Sequence, residues 1–174
     1  MRRMPSSRNL RRGATLVETA MLIPILLLLL VGMVDLARIT YTYYTLRKTV
    51  YSIAMYVSNQ QNVDFCDPAD PAVAAAINFG LTGTTDGSQP VFVTGLTAAM
   101  ILVTPEAYDP VAQTISTCSC GVPGCDTVNG GSSPSFITVS IPGGYTMPVI
   151  MPLPFAPIAP IPLSPSVKVP YGGT

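Results

Sequence analysis

The chain contains no histidine, and only 10% of its residues are charged. Without an imidazole, Ser-His-Asp and Cys-His nucleophile systems and the His-Glu-x-x-His zinc motif are all excluded. No phosphate-cradling glycine loop follows a strand-like run, and Asn129-Gly130-Gly131-Ser132-Ser133 reads as a flexible loop. The acids are few and form no recognisable catalytic pair. The sequence reads as a non-enzyme with neither catalytic residues nor a cofactor.

Each end of the chain is poor in charge of one sign. The first 13 residues hold Arg2, Arg3, Arg8, Arg11 and Arg12 and no acid, whereas beyond residue 60 seven acids stand against Lys168 alone. A nucleic-acid binder would spread its bases over a folded face, so no nucleic-acid partner is expected. Here the arginines form a short tail directly before an apolar run. Bases beside a hydrophobic span hold that end in the cytoplasm, which sends the remainder across the membrane. Cys66, Cys118, Cys120 and Cys125 all fall in that remainder, where disulfides form and persist.

From Ala14 to Val34 there are 21 residues with one charge, Glu18. A helix of that length rises about 30 Å, the hydrocarbon thickness of a bilayer. Asp35 and Arg38, three apart, mark the outer boundary and can face each other on a helix. Pro24 is of a kind that membrane helices tolerate. No small-x-small cleavage site follows Val34, so the run does not read as an ordinary secretory signal. A plain anchor accounts for the length but leaves Glu18 unexplained, since a carboxylate in an apolar segment usually has a partner. Cleavage between Gly13 and Ala14 would supply one. The new α-ammonium would lie four residues from Glu18, able to pair within its own helix or with a neighbouring subunit's carboxylate in a low-dielectric layer. Glycine suits the cleaved position because it leaves the backbone flexible and uncrowded.

Basic leader, Gly13, Glu18 at the fifth position after it and an apolar helix resemble the class III signal of type IV pilin-like proteins. More narrowly, Gly-Ala-Thr-Leu-Val-Glu followed by Pro24 and the leucine run resembles the TadE-like pseudopilins of tight-adherence (Tad) pilus systems. Thr19 stands where that family often carries an aromatic residue. The resemblance implies a pilin-like fold and removal of the leader by a prepilin peptidase. It also implies partnership with other pilin-like subunits and pilus assembly components, and residence in the bacterial inner membrane with the C-terminal domain periplasmic or extracellular.

The helical pattern continues past the membrane segment. Leu36, Ile39, Tyr43, Leu46, Val50, Ile53 and Val57 repeat at spacings of 3, 4, 3, 4, 3 and 4, and neither Gly nor Pro occurs from Met33 to Gln61. One helix is therefore expected to about residue 61. Val50 to Val57 are expected to pack on the protein's own sheet, and Leu36 to Leu46 to face another subunit. The organisation read here is a basic leader (1–13), a transmembrane helix (14–34), an amphipathic extension (35–61) and a disulfide-stapled domain (62–174).

That domain reads as α+β. Asp70 N-caps a short helix with Pro71 in its first turn and Gly80 as its stop. Strand-like runs follow at Met100–Thr104, Val111–Cys120, Phe136–Ile141 and Ser166–Val169, and predict an antiparallel sheet of three to five strands. The cysteines read as disulfide staples, with Cys118–Cys120 the least favourable pairing. Cys66 then joins one member of Cys118-Ser119-Cys120 and Cys125 the other, in either arrangement. Asp64, Asp67 and Asp70 lack the loop that a calcium site needs and read as capping or solvated acids. Between Pro142 and Pro170 there are nine prolines and one charge, Lys168. That stretch is either a crossover packed on the sheet or an apolar surface for a partner.

Two functions remain. One is a minor pseudopilin in assembly or anchoring of a Tad/Flp-type pilus or related secretion complex, with Glu18 as the assembly residue. The other is an unprocessed single-pass anchor presenting a binding domain outside the membrane.

Overall fold

The computed structural model describes residues 8–67, 69–121, 124–147 and 160–173. They form two units, the first a helix as far as Thr40 and the second running from Tyr41 onward. The fold is α+β, a long N-terminal helix followed by a small antiparallel-sheet domain.

Helix α1 runs from Arg8 to Ser58, with Pro24 inside it. It ends three residues before the expected limit, where Asn59 and Gln60 donate back to the carbonyls of Tyr56 and Val57 in tighter turns. Helix α2 spans Pro71–Thr82. Asp70 caps it, its Oδ1 accepting the N–H groups of Ala72 (2.8 Å) and Val73 (3.1 Å).

Gly80 does not stop α2. The helix runs through it, and Gly83 (φ +83°) closes it by donating its N–H to Phe79 O. Gly80 instead permits close helix packing: a Cβ there would overlap the Ile53 side chain of α1 and come within 3.1 Å of the Thr49 carbonyl. Tyr56 and Phe79 stack beside this contact, ring centroids 5.2 Å apart. Gly80→Ala should destabilise the head by about 1–3 kcal/mol. Helix propensity alone would favour alanine by about 1 kcal/mol, but Ile53 is fully buried and has no room to yield. Thermal unfolding of the full chain in detergent checks this, and a raised midpoint would contradict it.

Four strands form the main sheet in the order β2-β1-β3-β6, all antiparallel: β1 (Leu102–Asp109), β2 (Thr114–Thr117), β3 (Phe136–Ser140) and β6 (Ser166–Pro170). Strands β4 (Tyr145–Met147) and β5 (Ile161–Leu163) make a separate two-stranded ribbon. Two expected boundaries shift. Strand β1 starts two residues late and continues through Pro105, whose missing N–H falls where β2 has ended while its carbonyl still accepts from Cys118 N (3.0 Å). The run expected from Val111 becomes a turn first. Asp109 Oδ1 accepts from the N–H groups of Val111 and Ala112, and Gln113 adopts φ +54°, so β2 is only four residues long.

The buried core of the second unit includes one stripe of α1 (Leu46, Val50, Ile53, Val57) and one face of the sheet (Ile137, Val139, Val169). The chain end is tied to the end of α1, since Gly172 N donates to Ser58 O and Tyr171 Oη to Gln60 O, both at 2.9 Å.

Candidate functional site: the long helix and its stapled head

The part of α1 within the first unit has an apolar surface over which nothing packs among the described residues. Leu16 is 72% exposed, Leu26 62%, Leu30 59% and Met33 71%. Such a surface is unstable in water and calls for lipid or other protein. By length and composition this helix can cross a membrane. Glu18 is exposed on it, and no basic side chain among the described residues pairs with it. Gly13 and Ala14 lie within α1 with no break between them. At the far end of the apolar run Arg38 pairs with Asp35 at 3.7 Å, one helical turn apart.

The heptad stripe divides. Leu36 is 65% and Tyr43 39% exposed, Ile39 is half-buried, and Leu46, Val50, Ile53 and Val57 are fully buried. Leu46, expected to face another subunit, belongs instead to the core of its own domain. The stripe also understates the buried face, which takes in Thr49, Ala54 and Ser58. A helix packed on a globular core needs a wider face than a two-position seam. The small residues beside each stripe position were the available signal for it.

In the head, Cys66 bonds Cys120 and Cys118 bonds Cys125, with Cα separations of 5.4 and 5.5 Å. No described cysteine is free. This settles which member of Cys-Ser-Cys takes which partner. The three aspartates before α2 act locally: Asp64 Oδ1 accepts from Cys66 N, Asp67 Oδ1 from Ala69 N, and Asp70 Oδ2 from Asp64 N. Each is committed to a turn or a cap. Of the Pro-rich stretch, residues 148–159 lie outside the described residues. Within the remainder, Met147 and Leu163 are buried in the β4–β5 ribbon, and Pro162, Pro165 and Pro170 fall in or beside short strands.

Sequence reasoning missed one polar cluster. Glu106 on β1 accepts from the Thr138 hydroxyl (2.7 Å) on β3 and pairs with the Lys168 ammonium on β6. Burial pushes the Glu106 carboxyl up, but the hydrogen bonds from Lys168 and Thr138 and the Lys168 charge outweigh it, so its pKa lies below the ordinary 4.5. A depressed carboxylate contributes stability that is fully present above the unfolded pKa and lost as pH falls through the folded one. The head should therefore lose stability as the medium is acidified below about pH 4.5. Glu106→Gln should flatten part of that fall, read as unfolding midpoint against pH. Asp86 and Asp126, held low by hydrogen bonds from Thr84 and Asn129, account for part of the remainder. Identical pH profiles for the two proteins would contradict the assignment.

The exposed apolar helix, its early glutamate and the buried upper stripe occupy one continuous stretch, and residues 13–60 of it match a family model described as TadE-like protein. This segment is similar to TadE-like proteins. Neither the curated proteins nor the solved structures yielded a match. The matched segment takes in Gly13, Ala14, Glu18 and the whole heptad stripe, and it ends two residues beyond α1. The disulfides and the sheet lie beyond it.

Proposed function

We propose that this protein is a minor pseudopilin that acts in assembly or anchoring of a Tad/Flp-type pilus or a related secretion complex. The observation that carries the reading is an exposed apolar helix whose lone early carboxylate stands five residues after a glycine, within a segment similar to TadE-like proteins. In this reading the arginine leader stays cytoplasmic and residues 14–34 span the inner membrane. The disulfide-stapled head is exported.

A prepilin peptidase then removes residues 1–13. Gly13 is the weakest helical position near the cut, because glycine costs a helix interior about 1 kcal/mol relative to alanine. The α-ammonium of Ala14 meets Glu18 of an adjoining subunit. In a low-dielectric layer that pairing sets the axial register of two helices, while their apolar faces pack. The part is structural, and no chemistry is assigned to the head.

Deletion of this chain in a cell carrying an intact Tad system tests the role. Surface fibres counted by electron microscopy should be lost or sharply reduced, and expression in trans should restore them. Unchanged fibre number and length would contradict a role in assembly.

A further inference from the structure

The second unit carries two apolar surfaces that nothing covers among the described residues, one concave and one convex. The concave one is a groove of about 410 Å³ walled by Tyr41, Tyr44 and Phe92, with Lys48 also in its lining. Tyr41 is 75% and Phe92 61% exposed, yet Phe92 is held in place, since its N–H donates to Leu81 O (2.9 Å). The hydroxyls of Thr45 and Ser52 at the groove donate to the carbonyls of Tyr41 and Thr49, so the groove's one charge is the Lys48 ammonium. Lys48 has no ion-pair partner among the described residues, and no acid occurs between residues 36 and 63.

The convex surface is the end of the β1–β2 hairpin. Tyr108 and Ile115 lie opposite each other in the ladder and both are exposed, while Val111, in the turn between them, is 93% exposed. Asp109 Oδ1 fixes that turn by accepting from the N–H groups of Val111 (2.8 Å) and Ala112 (3.2 Å). Of the exposed acids beyond residue 60 (Asp67, Asp86 and Asp109), only Asp109 has large exposed apolar residues close on both sides in sequence. Lys168 is the one base beyond residue 60, and it is engaged by Glu106.

We infer that the hairpin end of one copy of this chain docks in the groove of another, with Val111 between the aromatic rings and Asp109 against Lys48. Each surface lacks nearby what the other carries, a base for the carboxylate and an acid for the ammonium, and one contact covers both apolar patches. The two surfaces stand at opposite ends of the unit. Strand β6 finishes beside the end of α1, where Gly172 N donates to Ser58 O. Strands β1 and β6 run the same way, each antiparallel to β3, and Glu106 shares the level of Pro170 through Phe136. The hairpin continues past that level, Asp109 being three strand residues or about 10 Å beyond Glu106. Tyr41 and Lys48 precede Ser58 by 17 and 10 residues, about 25 and 15 Å along α1. A contact between such unlike patches is head-to-tail, so it repeats from copy to copy and does not close on a two-fold pair. The inference uses only the second unit and does not rest on leader cleavage or on the pairing of Glu18.

A hairpin end in a groove buries less than about 1,200 Å², the range of transient contacts, so it is best trapped covalently. Tyr44 is replaced by the photo-cross-linking residue p-benzoylphenylalanine, which keeps an aromatic wall, and the purified full chain is reconstituted in phosphatidylcholine vesicles. Irradiation should give covalent dimers, trimers and higher species. Mass spectrometry of their peptides should join residue 44 of one copy to residues 108–115 of another. Lys48→Glu, which sets two carboxylates together, should lower the yield at least about fivefold. Adding Asp109→Asn, which keeps the acceptor for the turn, should restore most of it, a rescue that a merely structural role for either residue would not produce.

Adducts to lipid alone would overturn the docking, as would a dimer joined through residues 41–52 of both copies. Equal yields with Lys48 and with Glu in its place would also overturn it, because the Asp109–Lys48 pair sets the contact. Each of these results leaves the pseudopilin reading standing, since fibre number and leader removal are measured separately.

Discussion

Glu18→Leu should leave the chain in the membrane and strip it of its assembly partners. An ionised carboxylate costs up to about 3 kcal/mol at the centre of a bilayer and less near an edge, so its replacement makes insertion easier. The loss appears at the next step. Deleting one member of a close charge pair at a protein contact typically costs about 2–5 kcal/mol, which corresponds to at least a tenfold fall in association. Tagged wild-type and variant chains, compared at equal membrane abundance, should therefore differ at least about tenfold in recovery of pilin-like partners. Equal recovery would show that Glu18 pairs with nothing in the assembly. Glu18→Asp, which keeps the charge on a shorter arm, should retain more partner than leucine does.

The second large effect concerns the staples, which differ in the length of chain they close. Cys66–Cys120 spans a sequence separation of 54, Cys118–Cys125 one of 7. Constraint of the unfolded chain scales with the logarithm of loop length, giving about 4 kcal/mol for the long loop and about 2.5 for the short one. The long bridge ties the segment after α1 to the segment after β2, elements that hydrogen bonds link only sparsely: Thr127 Oγ1 reaches Val63 O at 3.5 Å. A domain of this size has a total stability of about 5–15 kcal/mol. The paired Cys66→Ser/Cys120→Ser variant should bring the head close to unfolding, and Cys118→Ser/Cys125→Ser should leave it weakened but folded. Limited proteolysis and thermal unfolding in detergent distinguish them. Equal losses from the two pairs would contradict the loop-length argument.

Features set by neighbouring residues were legible in the sequence. The Asp70-Pro71 helix start, the absence of breakers from Met33 to Gln61 and the heptad stripe each follow from local rules, and each coincides with a helix. Gly80 shows where locality fails. As a residue near a helix end it reads as a stop, yet its place is decided by Ile53, 27 positions earlier, which needs a neighbour without a Cβ. Leu46 was misassigned for the same kind of reason. The stripe has no mark in sequence at which it passes from exposed to buried, because that boundary is set by where the head folds back onto the helix. Pro105 hid the second half of β1, since a proline is tolerated there only because β2 stops alongside it.

The Glu106–Thr138–Lys168 cluster and the choice between two disulfide arrangements required strand register. Register in turn depends on which face of each strand is buried. Of the candidate site, Glu18, Gly13 and the apolar run could be read directly, because a charge in an apolar segment is conspicuous wherever it occurs.

The account depends on a carboxylate in lipid that is matched by an ammonium made by proteolysis. Intact mass spectrometry of the full chain, extracted from membranes of cells with and without active prepilin peptidase, tests this most directly. With the peptidase the protein should begin at Ala14, lighter by residues 1–13, and without it the arginine leader should remain. A chain that keeps Arg2 to Gly13 in assembled, functional fibres would contradict it.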